Sequence, residues 1–103
     1  MARVDEIRGL AEFHAESISS SPIDWMNYLD TAAKLYRYPF MDQLLIHAQR
    51  PHATACASLE LWNEKRFRWV NRGAKGIALL DETMQKTRLR YVFDIQEIGR
   101  AHV

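Results

Sequence analysis

Hydrophobic positions recur at helical spacing over the first half of the chain and run or alternate as in strands over the last third. Apolar residues with a period near 3.6 predict a helix with one face on the core, whereas a period of two predicts a half-buried strand. The pattern therefore predicts an α+β fold, in which three to four helices precede a small antiparallel three-stranded sheet.

The first two helices are predicted from their apolar stripes and from a clear start signal. Residues 3–18 carry a stripe made of Val4, Ile7, Ala11, His14 and Ile18. A second helix is expected to begin at Ser21 and Pro22, because serine caps helix N-termini, proline suits the first turn and Asp24 follows at capping-box spacing. Its predicted apolar side consists of Trp25, Tyr28, Leu29, Ala32, Ala33 and Tyr36.

The remaining elements come after Tyr38, which precedes a proline and so avoids helical angles. A third helix is predicted over 39–49, with an apolar side of Phe40, Met41, Leu44, Leu45 and Ala48. A short extended piece at 54–57 and a fourth helix from 59 to about 65 come next. The three predicted strands lie around Phe67 and Trp69, at 77–80 and at 88–93, with a glycine-containing turn at 71–76 between the first two and a polar hairpin loop at 81–87 between the others. Residues 97–103 show no pattern and are expected to fray.

Length and composition fit a single domain over residues 1–103, with 48% hydrophobic and 26% charged residues. The net charge is only +1, but the charges are unevenly placed. Residues 1–36 hold three basic and six acidic side chains, residues 37–76 hold seven and three, and residues 77–103 hold four of each. The middle of the chain is therefore a basic block, which indicates either phosphate binding or chance clustering on a solvated surface.

Several classes of protein are disfavoured by what the sequence lacks. The four histidines form no H-E-x-x-H and no pair with metal-ligand spacing, and no Walker or Rossmann glycine pattern occurs. A nucleophilic pair of Cys56 with His47 or His52 is conceivable, but a lone cysteine between alanines is more often a small buried hydrophobe. We expect no enzymatic activity, no cofactor and no metal. Without a signal peptide, a membrane segment or a second cysteine, we expect a cytoplasmic protein.

The most informative stretch is 62–76, where five basic residues and one acid are interleaved with three aromatics. Single-strand binders need this chemistry, because cations neutralise phosphates while aromatic faces stack on unpaired bases. The candidate phosphate-binding residues are Arg50, Lys65, Arg66, Arg68, Arg72 and Lys75, and the candidate stacking residues are Tyr38 and Trp69. The alternative is that Trp62, Phe67 and Trp69 are core residues and the cations a solvated rim, and for any one tryptophan the core is favoured.

The motifs in 38–51, 53–55 and 69–79, together with Trp62, resemble the N-terminal domain of ArdC-like antirestriction proteins. The shared features are an aromatic-x-x-x-[Asn/Gln]-x-Leu-Leu helix, a tryptophan in a short helix and a V-x-x-G-x-K-G-[Ile/Val] turn. The resemblance covers about 25–93, after an N-terminal helix in 1–20. Two departures stand out: Gln43 occupies a position where many members have asparagine, and the metallopeptidase part of some relatives is absent.

This resemblance implies binding of single-stranded DNA without strong sequence preference, in a protein of a plasmid or conjugative element. It also implies that the chain is one module beside C-terminal domains of a longer parent protein. The alternative function is a docking domain that targets a larger element-encoded helicase or methylase. A salt series separates these two, because phosphate binding weakens steeply with salt and a mixed protein interface weakens less.

Overall fold

The computed structural model describes residues 3–65, 68–83 and 85–99. Four helices come first, with one very short strand before the last of them, and two longer strands come after them. This arrangement confirms the predicted α+β fold with a small antiparallel three-stranded sheet. In chain order the elements are α1 (Val4–Ser19), α2 (Pro22–Lys34), α3 (Phe40–Gln49), β1 (Cys56–Ala57), α4 (Leu59–Lys65), β2 (Ile77–Asp81), β3 (Arg88–Asp94) and a 3-10 turn (Ile95–Glu97).

Side-chain hydrogen bonds stabilise both ends of α2. The hydroxyl of Ser21 accepts a hydrogen bond from the backbone N–H of Asp24 at 3.2 Å, and Pro22 occupies the first turn. At the other end, the side-chain amide of Gln43 donates to the carbonyl oxygen of Leu35 at 3.0 Å. A glutamine on α3 therefore satisfies the C-terminus of α2, which gives the amide position of the helix motif a structural role.

The main core lies where α1 and α3 pack on β2, which pairs with β3, and where α2 packs on α1 and α3. It contains Ile7, Ala11, Ile18, Tyr28, Leu35, Leu44, Leu45, Ile46, Ala53, Ile77, Ala78, Leu79 and Val92. The buried side of α1 is the predicted one, but the other helices differ. On α2 and the turn after it, four predicted apolar members stay exposed, namely Trp25, Leu29, Ala33 and Tyr36. On α3 the exposed members are Phe40 and Met41, while Ile46 and His47 are buried.

The sheet has the strand order β1-β3-β2, and both pairings are antiparallel. Cys56 pairs with Asp94, so the short extended piece before α4 is the third strand. The prediction that a strand around Phe67 and Trp69 joins the sheet is therefore wrong for Trp69, and Phe67 lies outside the described residues. The turn at 71–76 is not a hairpin, because Val70 forms only an isolated bridge, with Ile98.

The expected fraying of 97–103 is not found for residues 97–99. Ile98 is 8% exposed and packs against Trp62 in a second core cluster. Backbone hydrogen bonds join Asn71 N–H to the carbonyl of Glu97 at 2.7 Å and Gly99 N–H to the carbonyl of Trp69 at 2.8 Å. This segment is ordered because it pairs with the chain before the turn. Residues 100–103 lie outside the described residues.

Two side chains complete the hydrogen bonding around the sheet. The amide of Gln49 bonds both the N–H and the carbonyl oxygen of Ala78, each at 2.9 Å, and so covers the outer edge of β2 as a neighbouring strand would. The buried carboxylate of Asp94 accepts hydrogen bonds from the backbone N–H groups of Thr54, Ala55 and Gln96 at 2.9–3.1 Å. It therefore fixes the chain that leads into β1.

No helix within the described ranges is long and apolar enough to cross a membrane.

Candidate nucleic-acid interface

A cleft of about 480 Å³ opens between β1, α4 and the connection from α2 to α3. Five separate chain segments contribute to it, and most of its lining is apolar. The lining residues are Arg37, Tyr38, Ala55, Cys56, Ala57, Leu61, Trp62, Arg68 and Ile95. Among them Leu61 and Ile95 are 43% and 37% exposed. The cleft thus offers accessible apolar surface together with two arginines, and we call it the arginine cleft.

Tyr38, a predicted stacking residue, forms part of the wall of the arginine cleft. Its hydroxyl donates a hydrogen bond to the carbonyl oxygen of Cys56 at 2.9 Å. Burial, reinforced by the nearby Cys56, raises the pKa of Tyr38 to about 12, so the ring is a neutral phenol at physiological pH. The hydroxyl proton is used by β1, so the ring supplies the apolar surface that Tyr38 adds to the cleft lining.

Trp62 is a core residue, as favoured from the sequence. It is 6% exposed, and its indole Nε1–H donates to the carbonyl oxygen of Phe93 at 2.9 Å. After α4, the backbone N–H of Arg68 donates to the carbonyl of Trp62 at 3.0 Å. This bond turns the chain back towards the helix and places Arg68, one of the predicted phosphate-binding residues, in the cleft lining.

Arg37 contributes to the same cleft but was not among the predicted site residues. It is exposed, and its guanidinium carbon lies 5.8 Å from the centroid of the Tyr36 ring. A signal existed in the sequence, because Arg37 begins the basic block and stands between two tyrosines, Tyr36 and Tyr38. That it shares the cleft with Arg68 could not be predicted, since the 30 intervening residues include two helices and a strand.

The turn at 71–76, here called the glycine turn, carries two exposed cations. The N–H of Ala74 donates to the carbonyl oxygen of Asn71 at 3.0 Å, which closes a four-residue turn. Arg72 and Lys75 are exposed on it. In the part of the chain that the structure describes, neither side chain has an ion-pair or hydrogen-bond partner. Both charges are therefore available to phosphates.

The backbone conformation of the turn explains why residues 73 and 76 are both glycine. Gly73 and Gly76 have φ angles of 85° and 76°, which side chains other than glycine rarely adopt. A Cβ at Gly76 would also lie 3.0 Å from the ring of Phe93. The structure of the turn itself therefore accounts for both glycines, and the glycines alone do not indicate a ligand.

Arg50 is not a free cation, because it forms an internal ion pair that supports the glycine turn. Its guanidinium lies 3.1 Å from the carboxylate of Glu97 and also donates to the carbonyl oxygen of Gln49 at 2.9 Å. The same Glu97 oxygen accepts the backbone N–H of Gly76 at 3.1 Å. The predicted phosphate contact of Arg50 thus competes with an internal ion pair that holds the base of the glycine turn.

The remaining predicted site residues are Trp69, Lys65 and Arg66. Trp69 is 45% exposed, and its carbonyl oxygen accepts a hydrogen bond from the N–H of Gly99. It lies in the segment that links the arginine cleft to the glycine turn. The side chain of Lys65 and the whole of Arg66 lie outside the described residues. The fold therefore brings Tyr38 and Arg68 into one cleft and puts two further cations on the glycine turn.

The conceivable Cys–His pair has no geometric support. Burial, with added repulsion from the carboxylate of Asp94, raises the pKa of the Cys56 thiol to about 12, so the thiolate is scarce at neutral pH. His47 and His52 line a different cleft, with His14, between α1, α2 and the end of α3. Among the side chains that the structure describes, no three His, Cys, Asp or Glu are grouped so as to hold a metal ion.

Comparison of the chain with protein-family models, with curated proteins and with solved structures found no match. The resemblance to ArdC-like proteins therefore stays a prediction from the sequence motifs.

Proposed function

We propose that this chain binds single-stranded DNA without strong sequence preference, through the arginine cleft and the glycine turn. The observation that carries the proposal is the composition of the cleft: an apolar lining with accessible Leu61 and Ile95, and arginines at 37 and 68. An unpaired base has two apolar faces and a phosphate on either side, and this combination matches it. Arg72 and Lys75 of the glycine turn, which follow Arg68 closely in the chain, supply two further exposed cations.

The preference for single strands follows from the shape of the site. In a duplex, each base is stacked on its neighbours and paired, so that its faces are not available to a cleft. An unpaired base can enter at little expense, with Tyr38, Leu61 and Ile95 as its apolar contacts. Arginine suits the rim because its guanidinium both pairs with phosphate and stacks on a base.

The biological setting that we propose comes from the sequence motifs. Their resemblance to ArdC-like antirestriction proteins supports a role in a plasmid or conjugative element, beside the C-terminal domains of a longer protein. The single cysteine, which can form no internal disulfide, supports a cytoplasmic location. No enzymatic activity is part of the proposal.

Fluorescence anisotropy with a labelled single-stranded oligonucleotide tests the proposal, with unlabelled single strand, matching duplex and matching RNA as competitors. We expect micromolar affinity at low salt and much weaker competition by the duplex. The variant Arg37→Ala with Arg68→Ala should weaken binding strongly. The matched control, Lys86→Ala with Arg88→Ala, removes two exposed cations elsewhere and should weaken it little.

Two results would reject this function. The first is the absence of binding at about 50 mM salt, where phosphate contacts are strong. The second is equal competition by duplex together with equal losses in the two double variants, because the binding would then be general attraction of a basic protein to DNA. If RNA competes as well as DNA, the proposal holds for single strands in general, and the choice of DNA is rejected.

A further inference from the structure

Helix α2 has a second apolar side, which adjoins the one that it buries. Its inner side holds Tyr28 and Thr31, which are 2% and 5% exposed. On the outer side, residues spaced four apart form a ridge along the helix, since four residues make just over one turn. This outer ridge consists of Trp25, Leu29 and Ala33, all exposed.

The outer ridge is tapered. Trp25 is large, Leu29 is of middle size and Ala33 is small, in order from the N-terminal to the C-terminal end of α2. A tapered ridge that packs against an identical ridge running the opposite way places large against small, middle against middle and small against large. The combined thickness is then constant along the contact, which is the condition for close packing. A parallel arrangement would place tryptophan on tryptophan and leave a gap at the alanines.

We propose that the outer ridge is the contact of a symmetric dimer, in which α2 of two copies pack antiparallel. The two-fold axis passes close to Leu29, so that this residue meets Leu29 of the second copy. Trp25 then covers Ala33 of the second copy, and the reverse contact is made by symmetry. Such an isologous contact closes on itself and does not lead to filaments.

The area available fits a weak dimer. Besides the ridge, the neighbouring apolar side chains Met26, Ile23 and Tyr36 are 65%, 68% and 72% exposed. At roughly 150–250 Å² for a whole aromatic side chain, this surface offers on the order of 500 Å² per copy. The two copies together reach about 1,000 Å², the lower limit for a specific interface. The excess of acidic side chains in residues 1–36 opposes the approach of two copies, which also keeps the dimer weak.

Sedimentation velocity of the full chain, from micromolar to submillimolar concentrations, measures this association directly and involves no DNA. The parent is expected to shift from monomer to dimer over this range. Leu29→Arg puts two charges at the axis and should weaken association about tenfold or more. Ala33→Trp should weaken it as much, although it adds apolar surface, because tryptophan would then face tryptophan.

The decisive variant reverses the taper. Trp25→Ala combined with Ala33→Trp restores large against small, and it should dimerise again. The control Phe13→Ser removes a side chain that is 72% exposed on α1 and should behave as the parent does. Far-UV circular dichroism confirms folding, and Met26→Glu replaces Leu29→Arg if that variant is unfolded.

Three results would overturn the dimer. If the parent stays monomeric at every concentration, the ridge is not a contact between two copies, and its partner would have to be another protein. If the Ala33→Trp variant associates more tightly than the parent, the association is non-specific and depends only on the amount of apolar surface. Growth beyond the dimer contradicts a contact that closes by two-fold symmetry.

Discussion

The Nε2 atom of His14 lies 2.7 Å from the Nδ1 atom of His47, so an imidazole of α1 is hydrogen-bonded directly to an imidazole of α3. One of these nitrogens donates and the other accepts, which requires that at least one ring be neutral. Burial lowers the pKa of both histidines, and for His47 the proximity of His14 and His52 lowers the pKa further. The folded state therefore favours the uncharged pair.

This pair predicts that the protein loses stability as the pH falls below about 6.5, the unfolded-state pKa of histidine. Because the folded-state pKa values are lowered, the unfolded chain binds more protons in this range, and the free energy of unfolding decreases with decreasing pH. The stabilisation is complete above that pH. Urea unfolding at several pH values between about 5.5 and 7.5 measures the slope. His14→Gln should flatten it by up to about one proton. An unchanged slope in this variant would mean that the pair does not titrate as expected.

The cations of the glycine turn are expected to matter for binding and not for folding. Arg72→Ala with Lys75→Ala removes two exposed charges that have no partner in the described part of the chain, so the unfolding midpoint should hardly move. Binding of single strands should weaken for all sequences. The slope of log affinity against log salt should fall by about one to two units, at roughly 0.7 per lost phosphate contact.

The control for this double variant is Lys86→Ala with Arg88→Ala, which should leave the salt slope nearly unchanged. If the two double variants give the same slope, the glycine turn is not a contact for phosphates, and the arginine cleft must account for binding alone.

The two glycines of the turn should differ in their tolerance of alanine. At Gly73 a Cβ meets nothing within 4 Å, so Gly73→Ala should cost only the strain of its positive φ, about 1–2 kcal/mol. At Gly76 the same strain is joined by a 3.0 Å contact with Phe93, and the neighbouring backbone carbonyl of Val92 is 3.3 Å away. Gly76→Ala should therefore be the more destabilising, and thermal unfolding of both variants ranks them. The reverse order would show that Phe93 yields easily.

The start of α2 and the boundary between α2 and α3 could be predicted closely because local residues set them. Ser21 and Pro22 start α2 through contacts within four residues, and the proline after Tyr38 marks the boundary between α2 and α3. Strand β1 is different, since it has only two residues and depends on pairing with β3, 36 or more residues away. Its neighbourhood is held by the carboxylate of Asp94, which no pattern near Cys56 reveals.

The sequence predicted the chemistry of the candidate site, but it did not predict all of the residues that form it. The basic and aromatic composition of the middle segment pointed to Arg68 and to the glycine turn, both of which are accessible. The role of Arg50 was hidden because its partner, Glu97, is 47 residues away. Arg37 and Ile95 could not be assigned to the site from the sequence, because the segments that line the arginine cleft meet only in the folded chain.

Neighbouring residues of α4 should separate stability from binding. Trp62 is 6% exposed and hydrogen-bonded to the carbonyl of Phe93, whereas Leu61 is 43% exposed in the arginine cleft. Trp62→Ala removes the centre of the second core cluster and should lower the free energy of unfolding by about 3–5 kcal/mol. Leu61→Ala should change stability much less, because most of the side chain already faces water.

Binding should show the opposite order for those variants that remain folded. Leu61→Ala removes an apolar contact for a base and should weaken single-strand binding several-fold, with the salt slope unchanged because no charge is lost. Trp62→Phe retains an aromatic core residue and loses only the indole N–H, so its binding should stay close to that of the parent. Urea unfolding and anisotropy on the same preparations supply both quantities. If Leu61→Ala binds as tightly as the parent, a base does not occupy the cleft, and the arginines act on phosphates alone.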